Sequence, residues 1–251
     1  MLQLCQVGVE GRLDPFSGQV AAGVQVHLIG PNGAGKSTLL ARVAGILPGL
    51  GEIRLSERPM GEYSGGELAR RRAYLSQQQS PVSLMPVFQY LALHRPTQCG
   101  EDELENVIIY LSRCLKLTNK LPRMLTQLSG GEWQRVRLAA VLLQVWPTVN
   151  PQSQLLLLDE PTNSLDVAQK VALDHLLREF CHSGRSVLMC AHDLNHTLQQ
   201  ADQVWLLQAG RLIAQGSTLD VMEPELLSRV YEVDFHLHSL GGQQWVMTKS
   251  A

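Results

Sequence analysis

An excess of charge is the first thing the sequence lacks. Its 21 lysines and arginines stand against 23 aspartates and glutamates, for a formal net charge of −2. A chain so balanced carries no basic footprint for nucleic acid. It has no cysteine framework either. Cys5, Cys99, Cys114, Cys181 and Cys190 are odd in number, and no two are in Cys-x-x-Cys spacing. That argues against a disulfide scaffold or a zinc site and for reduced thiols in the cytoplasm. Cys190, in an apolar run, reads as core. Met1 to Glu10 has neither a basic start nor a continuous apolar region, so no secretory leader is expected. The longest apolar stretch, Leu138 to Trp146, is short and contains Gln144, so it cannot span a bilayer. Membrane association would have to come through a partner. There is no repeat and no linker, and the 12 prolines and 21 glycines form no low-complexity block. What remains is a chain of 251 residues, 45% hydrophobic and 18% charged, enough for a folded protein with a sizeable core.

The chemistry is concentrated in short motifs. Gly30-Pro31-Asn32-Gly33-Ala34-Gly35-Lys36-Ser37-Thr38 comes after an apolar run, Val24 to Ile29, that reads as a strand. It precedes Leu39, Leu40, Val43 and Ile46, which are expected on one face of a helix. Strand, Gly-x-x-x-x-Gly-Lys-Ser and helix together make a phosphate-binding P-loop in the context the motif requires. The glycines let successive N–H groups turn inward toward an anion, and the helix N-terminus adds positive potential there. Lys36 is expected on the outer phosphates and the Ser37 hydroxyl on Mg²⁺.

Along the chain, residues 2–29 read as short strands with turns. Leu50 to Leu55 and Arg72 to Ser76 read as further strands, the second ending at Gln77-Gln78-Gln79. From about Pro81 to Trp146 helical periodicity takes over. Leu104, Val107, Ile108, Leu111 and Leu115 mark one amphipathic helix, and Val136, Ala139, Ala140 and Leu143 another. Strand and helix then alternate again. Leu155 to Leu158 is a buried strand, Leu173 to Phe180 a helix and Ser186 to Ala191 a strand. Val204–Leu207 and Leu212–Ala214 form a hairpin through Ala209-Gly210. The tail predicts one helix from Leu219 to Val230, then weak strands at Phe235 to Leu237 and Trp245 to Met247.

Two more motifs carry charge chemistry. Leu155 to Asp159 fits a Walker B strand, with Asp159 emerging at its C-terminal end, where ligands bind in such sheets. Asp159 would act on Mg²⁺ through water. Glu160 comes next and, by strand alternation, is expected to face differently, placed to orient or accept a proton from an attacking water. Leu128-Ser129-Gly130-Gly131-Glu132, opening a helix, is a second anion nest. Two cradles for one nucleotide are redundant within a chain; they make sense if one serves a neighbouring subunit. Tyr63-Ser64-Gly65-Gly66-Glu67 repeats the Ser-Gly-Gly-Glu string and is expected to be a surface turn, with Arg70-Arg71-Arg72 as solvated surface.

The P-loop, the Ser-Gly-Gly-Glu signature and Walker B with a following Glu, in this order, resemble the nucleotide-binding subunits of ABC transporters over roughly residues 1–225. The resemblance implies an α/β fold, a P-loop NTPase with a RecA-like core. An N-terminal antiparallel β subdomain and an inserted helical signature subdomain would complete it. Its bounds are core 1–80 and 147–225, helical subdomain 81–146 and C-terminal extension 226–251. It implies ATP and Mg²⁺, the metal held by Ser37, Gln77 and Asp159, with Gly30 to Thr38 on the phosphates. Gln77 matches the Q-loop glutamine, the neighbouring Gln78 and Gln79 leaving that register open by a residue. Ser164-Leu165-Asp166 matches the D-loop that crosses a dimer interface, and His192 the switch histidine on the γ-phosphate. The other histidines, including His182, His196, His236 and His238, show no ligand constellation and read as surface or core. The family's usual adenine-stacking aromatic has no counterpart between Val7 and Leu13; Arg12 can supply its guanidinium plane instead, with Phe16 a weaker substitute.

In such proteins two chains sandwich two ATPs, each held by Gly30 to Thr38 of one chain and Ser129, Gly130, Gly131 and Glu132 of the other, with Glu160 and His192 catalytic. Two membrane permease subunits and, through them, a periplasmic binding protein are the implied partners, with no nucleic acid. The ATPase would sit on the cytoplasmic face of the inner membrane, touching the permease through Pro81 to Leu93. Gln127 to Val141, Arg72 to Gln79 and His192 to Leu198 resemble most the branch that energises vitamin B12 import in Gram-negative bacteria; siderophore and haem importers share the scheme. Soluble ABC ATPases of DNA repair or translation use the same motifs but usually carry a long coiled-coil insertion or two ATPase halves, and a P-loop kinase would lack the signature.

Overall fold

In chain order the strands are β1 (Leu2–Val9), β2 (Leu13–Val20), β3 (Gln25–Ile29), β4 (Leu50–Leu55), β5 (Arg58–Pro59), β6 (Arg72–Leu75), β7 (Leu155–Leu158), β8 (Ser186–Cys190), β9 (Gln203–Gln208), β10 (Arg211–Ser217), β11 (Phe235–Leu240) and β12 (Gln243–Thr248). The helices are α1 (Lys36–Val43), α2 (Gly65–Arg71), α3 (Val87–Ala92), α4 (Glu101–Cys114), α5 (Gly130–Val145), α6 (Val167–His182), α7 (Leu194–Gln200), α8 (Thr218–Val221) and α9 (Pro224–Tyr231). This computed structural model describes residues 2–77 and 84–248. Contacts divide the chain into two units, residues 1–60 with 188–251, and residues 61–187.

In the first unit, β1 pairs antiparallel with β2 (Leu2 opposite Val20, Val9 opposite Leu13) and with β4, giving the order β2-β1-β4-β5. Leu2, Leu4 and Val7 fill the inner face of β1. A second sheet runs β10-β9-β3-β8. All five residues of β3 are buried, as in a strand covered on both faces, and β3 runs parallel to β9 with Ile29 opposite Leu206. The β9–β10 hairpin turns through Ala209 and Gly210, both at positive φ, the backbone a two-residue hairpin turn demands.

In the second unit, β6 and β7 are parallel, with Tyr74 opposite Leu157. Helix α5 is buried along almost its whole length, whereas α4 buries one stripe, Leu104, Val107 and Leu111. No helix among the described residues is long and apolar enough to cross a membrane.

Two expectations about helices need correction. Helix α1 stops at Val43, because Gly45 adopts φ 71 just beyond the C-cap. Ile46 therefore lies past the helix and is 66% exposed rather than on its buried face. The predicted helix from Leu219 to Val230 is two helices, α8 and α9. Pro224 opens α9, and Glu223 before it is extended, as a residue preceding proline prefers to be.

Candidate functional site

Strand β3 delivers the chain from the core to Gly30, whose φ is 142. A Cβ there would lie 2.0 Å from the Leu207 carbonyl oxygen, so only glycine fits between the loop and β9. Ala34 closes the loop: its N–H donates to Pro31 O (3.1 Å), and its own carbonyl accepts from Gly210 N–H (3.1 Å). Lys36, the first residue of α1, is buried, and its ammonium donates to Gly30 O at 2.7 Å and Pro31 O at 3.0 Å. The lysine thus fixes the curl of its own loop. Asn32, Gly33 and Ser37 are exposed at the rim, and Thr38 is half-buried. Arg12, in the β1–β2 turn, is exposed. Phe16 is not free to stack on a base: it is buried, edge-on to Trp205 with ring centroids 6.0 Å apart. His192 is exposed two residues past the end of β8, and Asp193 after it caps α7 by accepting from His196 N–H (2.9 Å).

The second unit gathers four of the motif segments. Asp159 is buried at the end of β7, and its N–H donates to Leu75 O (2.9 Å), extending the pairing with β6. Glu160 does face differently, but alternation is not the reason. β7 ends at Leu158, and Glu160 turns out of line with φ 51, a left-handed conformation uncommon for a side chain of its size. Asn163 Nδ2 donates to Glu160 Oε2 at 2.6 Å and steadies the carboxylate. Ser164 also has positive φ, 64, and Asp166 caps α6, accepting from Gln169 N–H at 2.8 Å while Leu165 is buried.

The Ser129 segment opens α5 with a capping box. Glu132 N–H donates to Ser129 Oγ (3.3 Å), and Ser129 N–H donates to Glu132 Oε2 (2.8 Å). Lys120 lies 2.6 Å from the other carboxylate oxygen. The hydrogen bond from Lys120, then that from the Ser129 N–H, hold the Glu132 carboxyl down at about 2. Gly131 is required by its neighbour: a Cβ would come within 2.8 Å of the Ser164 carbonyl oxygen. The first turn of α5 therefore lies directly on the Ser164 segment.

Sequence reading missed Gln134, Arg137 and Asn163. Gln134 Nε2 donates to Pro161 O (3.1 Å), one residue after Glu160. Arg137 Nη1 donates to Gln134 Oε1 (3.2 Å), and Nη2 donates to Ser76 O (2.6 Å) and Gln77 O (3.4 Å). Both side chains are buried, and burial lowers the Arg137 pKa. The available signal was an arginine inside the apolar stripe from Val136 to Leu143. Gln77 itself is exposed, while Gln78, Gln79 and residues 81–83 of the Pro81 to Leu93 stretch lie outside the described residues.

The Ser64 segment is not a surface turn. It caps α2 with the same box as Ser129: Ser64 N–H donates to Glu67 Oε2 (2.8 Å) and Glu67 N–H to Ser64 Oγ (3.2 Å). The helix behind the cap is where the two segments differ, since α2 is seven residues long and buries none of them. The arginine triplet is not simply solvated either. Arg70 Nε donates to Gln152 Oε1 (3.2 Å), Arg71 lies 5.1 Å from the centroid of the Tyr63 ring, and Arg72 is half-buried in β6.

Comparison with known proteins converges on one family. A family profile described as ABC transporter matches residues 13–163. The chain is 64% identical over 249 residues to the vitamin B12 import ATP-binding protein BtuD of Yersinia enterocolitica, covering 99% of this chain and 98% of that one. Among solved structures, an ATP-binding subunit of an ABC transporter matches with a TM-score of 0.80 and 24% identity, over 92% of this chain and 98% of its own. A dimeric ATP-binding cassette in a post-hydrolysis state, bound to ADP and phosphate, matches with a TM-score of 0.74 and 22% identity, over 87% and 99%.

Proposed function

We propose, from the premise that the chain belongs to the ABC transporter family, an ATP-hydrolysing transporter subunit with an α/β P-loop NTPase fold, that it energises vitamin B12 import. The observation that carries this is the 64% identity, over nearly the full length of both chains, to a vitamin B12 import ATP-binding protein. Fold alone would not select a substrate.

Each group of residues has its own share of the work. Gly30 to Thr38 hold the ATP phosphates, and Lys36 exchanges its contacts with Gly30 O and Pro31 O for phosphate oxygens. The Arg12 guanidinium stacks on the base; the burial of Phe16 supports it over the alternative. The Ser37 hydroxyl, the Asp159 carboxylate and the Gln77 amide are hard oxygen donors, the set that suits Mg²⁺. When bound, the ion neutralises charge on the β- and γ-phosphates. Glu160, steadied by Asn163, orients the attacking water and takes its proton, and His192 contacts the γ-phosphate. Ser129 to Glu132 close over the nucleotide of a second copy, with Ser164 to Asp166 at the same interface. The dimeric cassette among the structural relatives supports a pairing of two copies.

Two permease subunits then receive the motion, fed by a periplasmic cobalamin-binding protein, with the ATPase peripheral on the cytoplasmic face of the inner membrane. Leu84, Phe88 and Leu93 are 85%, 51% and 69% exposed, an apolar surface suited to a membrane-protein contact. The test is ATPase activity of the chain reconstituted with its permease in liposomes. Cobalamin-loaded binding protein should stimulate it; stimulation by a ferric-siderophore-loaded protein instead would overturn the substrate.

A further inference from the structure

The C-terminal segment, α9 with the β11–β12 hairpin, supplies no group to ATP cleavage, yet it meets two of the reacting segments. Ile29, the residue before Gly30, and Ala191, the residue before His192, belong to one buried cluster with Leu227 and Val230 of α9 and Val246 of β12. Tyr231, the last residue of α9, packs against the cluster that holds Ile29, and burial pushes its pKa up to about 12, so it remains a neutral phenol. Polar contacts run along the same two lines. Gln208 Nε2, at the end of β9, donates to Val230 O (3.2 Å) and anchors the same turn of α9.

On the other line, Asn195 binds one residue of β12 at both of its backbone groups. Its Nδ2 donates to Val246 O at 3.0 Å, and its Oδ1 accepts from Val246 N–H at 2.7 Å. Its amide acts as a neighbouring strand would. One turn further along α7, Gln199 Nε2 donates to Gln244 O (2.9 Å). The spacing of four puts both amides on one face of the helix that begins two residues after His192. A cover for an apolar sheet face would need Leu227, Val230 and Val246. It would not need the hairpin backbone read group by group from the helix that follows His192.

We propose that this C-terminal segment is a strut that positions the reaction: Tyr231 holds the start of the P-loop, and Asn195 holds the His192 segment through β12. Tyr231 and Asn195 are positioning residues, and the proposal rests on the chain's being an ATPase that uses Gly30 to Thr38 and His192. Each strut line acts on a different constant. Tyr231→Ala removes the ring that packs against the Ile29 cluster. It should raise KM for ATP roughly three- to tenfold, with kcat within about twofold. Asn195→Ala should lower kcat by a similar roughly three- to tenfold factor with KM little changed. Asn195→Asp, which keeps the acceptor for Val246 N–H and loses the donor, should fall between. Val246→Ala, which thins only the apolar cover, should lower Tm without splitting the two constants.

Hydrogen exchange in the full-length chain reads the strut independently of turnover. Amides of residues 30–36 should lose protection in Tyr231→Ala, and those of 192–199 in Asn195→Ala. A wild-type chain with no ATPase activity but these exchange changes would sink the functional reading and leave the strut standing. Unchanged exchange, or a lower Tm with both kinetic constants at wild-type values, would overturn the strut.

Discussion

His27 shows how much a single position can hold that its spacing does not reveal. It is fully buried in β3, three residues before the P-loop, with Nε2 2.9 Å from Gln25 Nε2 and Nδ1 3.0 Å from Thr197 Oγ1. An amide nitrogen can only donate, so Nε2 accepts and Nδ1–H donates to the threonine. Burial, and then the nearby His196, depress its pKa to about 3. The folded state therefore keeps it neutral, while the unfolded chain takes up a proton near pH 6.5. Between those values the unfolded state binds more protons, so stability falls as pH drops, by up to about 1.4 kcal/mol per unit from this group. Urea midpoints measured from pH 6.5 down to 5 should fall in the wild-type chain, and His27→Gln should flatten that slope; equal slopes would dismiss the residue as the source. Glu160 is the second residue-scale case. Glu160→Gln keeps the side chain's size while removing the base, and should lower kcat by about 10²-fold or more with ATP still bound. A filter-binding assay beside a single-turnover assay reads both, and near-normal turnover would remove Glu160 from the chemistry.

At the scale of elements, α5 joins what the sequence presents as separate motifs. Arg137 is a buried cation whose acceptors on Ser76, Gln77 and Gln134 are all neutral oxygens, and Gln134 carries the connection on to Pro161. Arg137→Met approximates the volume but leaves those oxygens without a donor, each buried loss being worth about 1–3 kcal/mol. ATPase activity should fall about tenfold or more, with Arg137→Lys intermediate. The control is Ser64→Ala on α2, which removes a cap of the same local form, worth about 1 kcal/mol to that helix, and should leave the ATPase rate unchanged. Equal losses in both variants would mean that α5 has no privileged link to the site. This is also where legibility in the sequence divides. The P-loop, the Walker B strand and the signature could be read because each is contiguous and its chemistry is local. Arg137 and Ser76 are 61 positions apart and meet only through folding. Ser64 and Ser129 share a string and a capping box, and they differ in the length and burial of the helices behind them, which four residues cannot encode.

At the scale of the molecule, the order of motifs was enough to identify the family, while the substrate was not legible in physical terms, because none of the residues assigned a role in this chain needs to touch it. The same scale decides whether one copy holds a whole site. If each ATP lies between Gly30 to Thr38 of one copy and Ser129 to Glu132 of another, two differently damaged chains can restore each other. Lys36→Ala and Ser129→Arg should each be inactive alone. In a mixed dimer one site carries both lesions and the other carries neither. With random pairing half the dimers are mixed and one of their two sites is intact, so roughly a quarter of all sites should recover. Single-turnover ATP cleavage in the equimolar mixture measures that fraction, and differential tags confirm that mixed dimers form. A site built within one copy predicts no recovery, since every copy in the mixture then carries its own lesion.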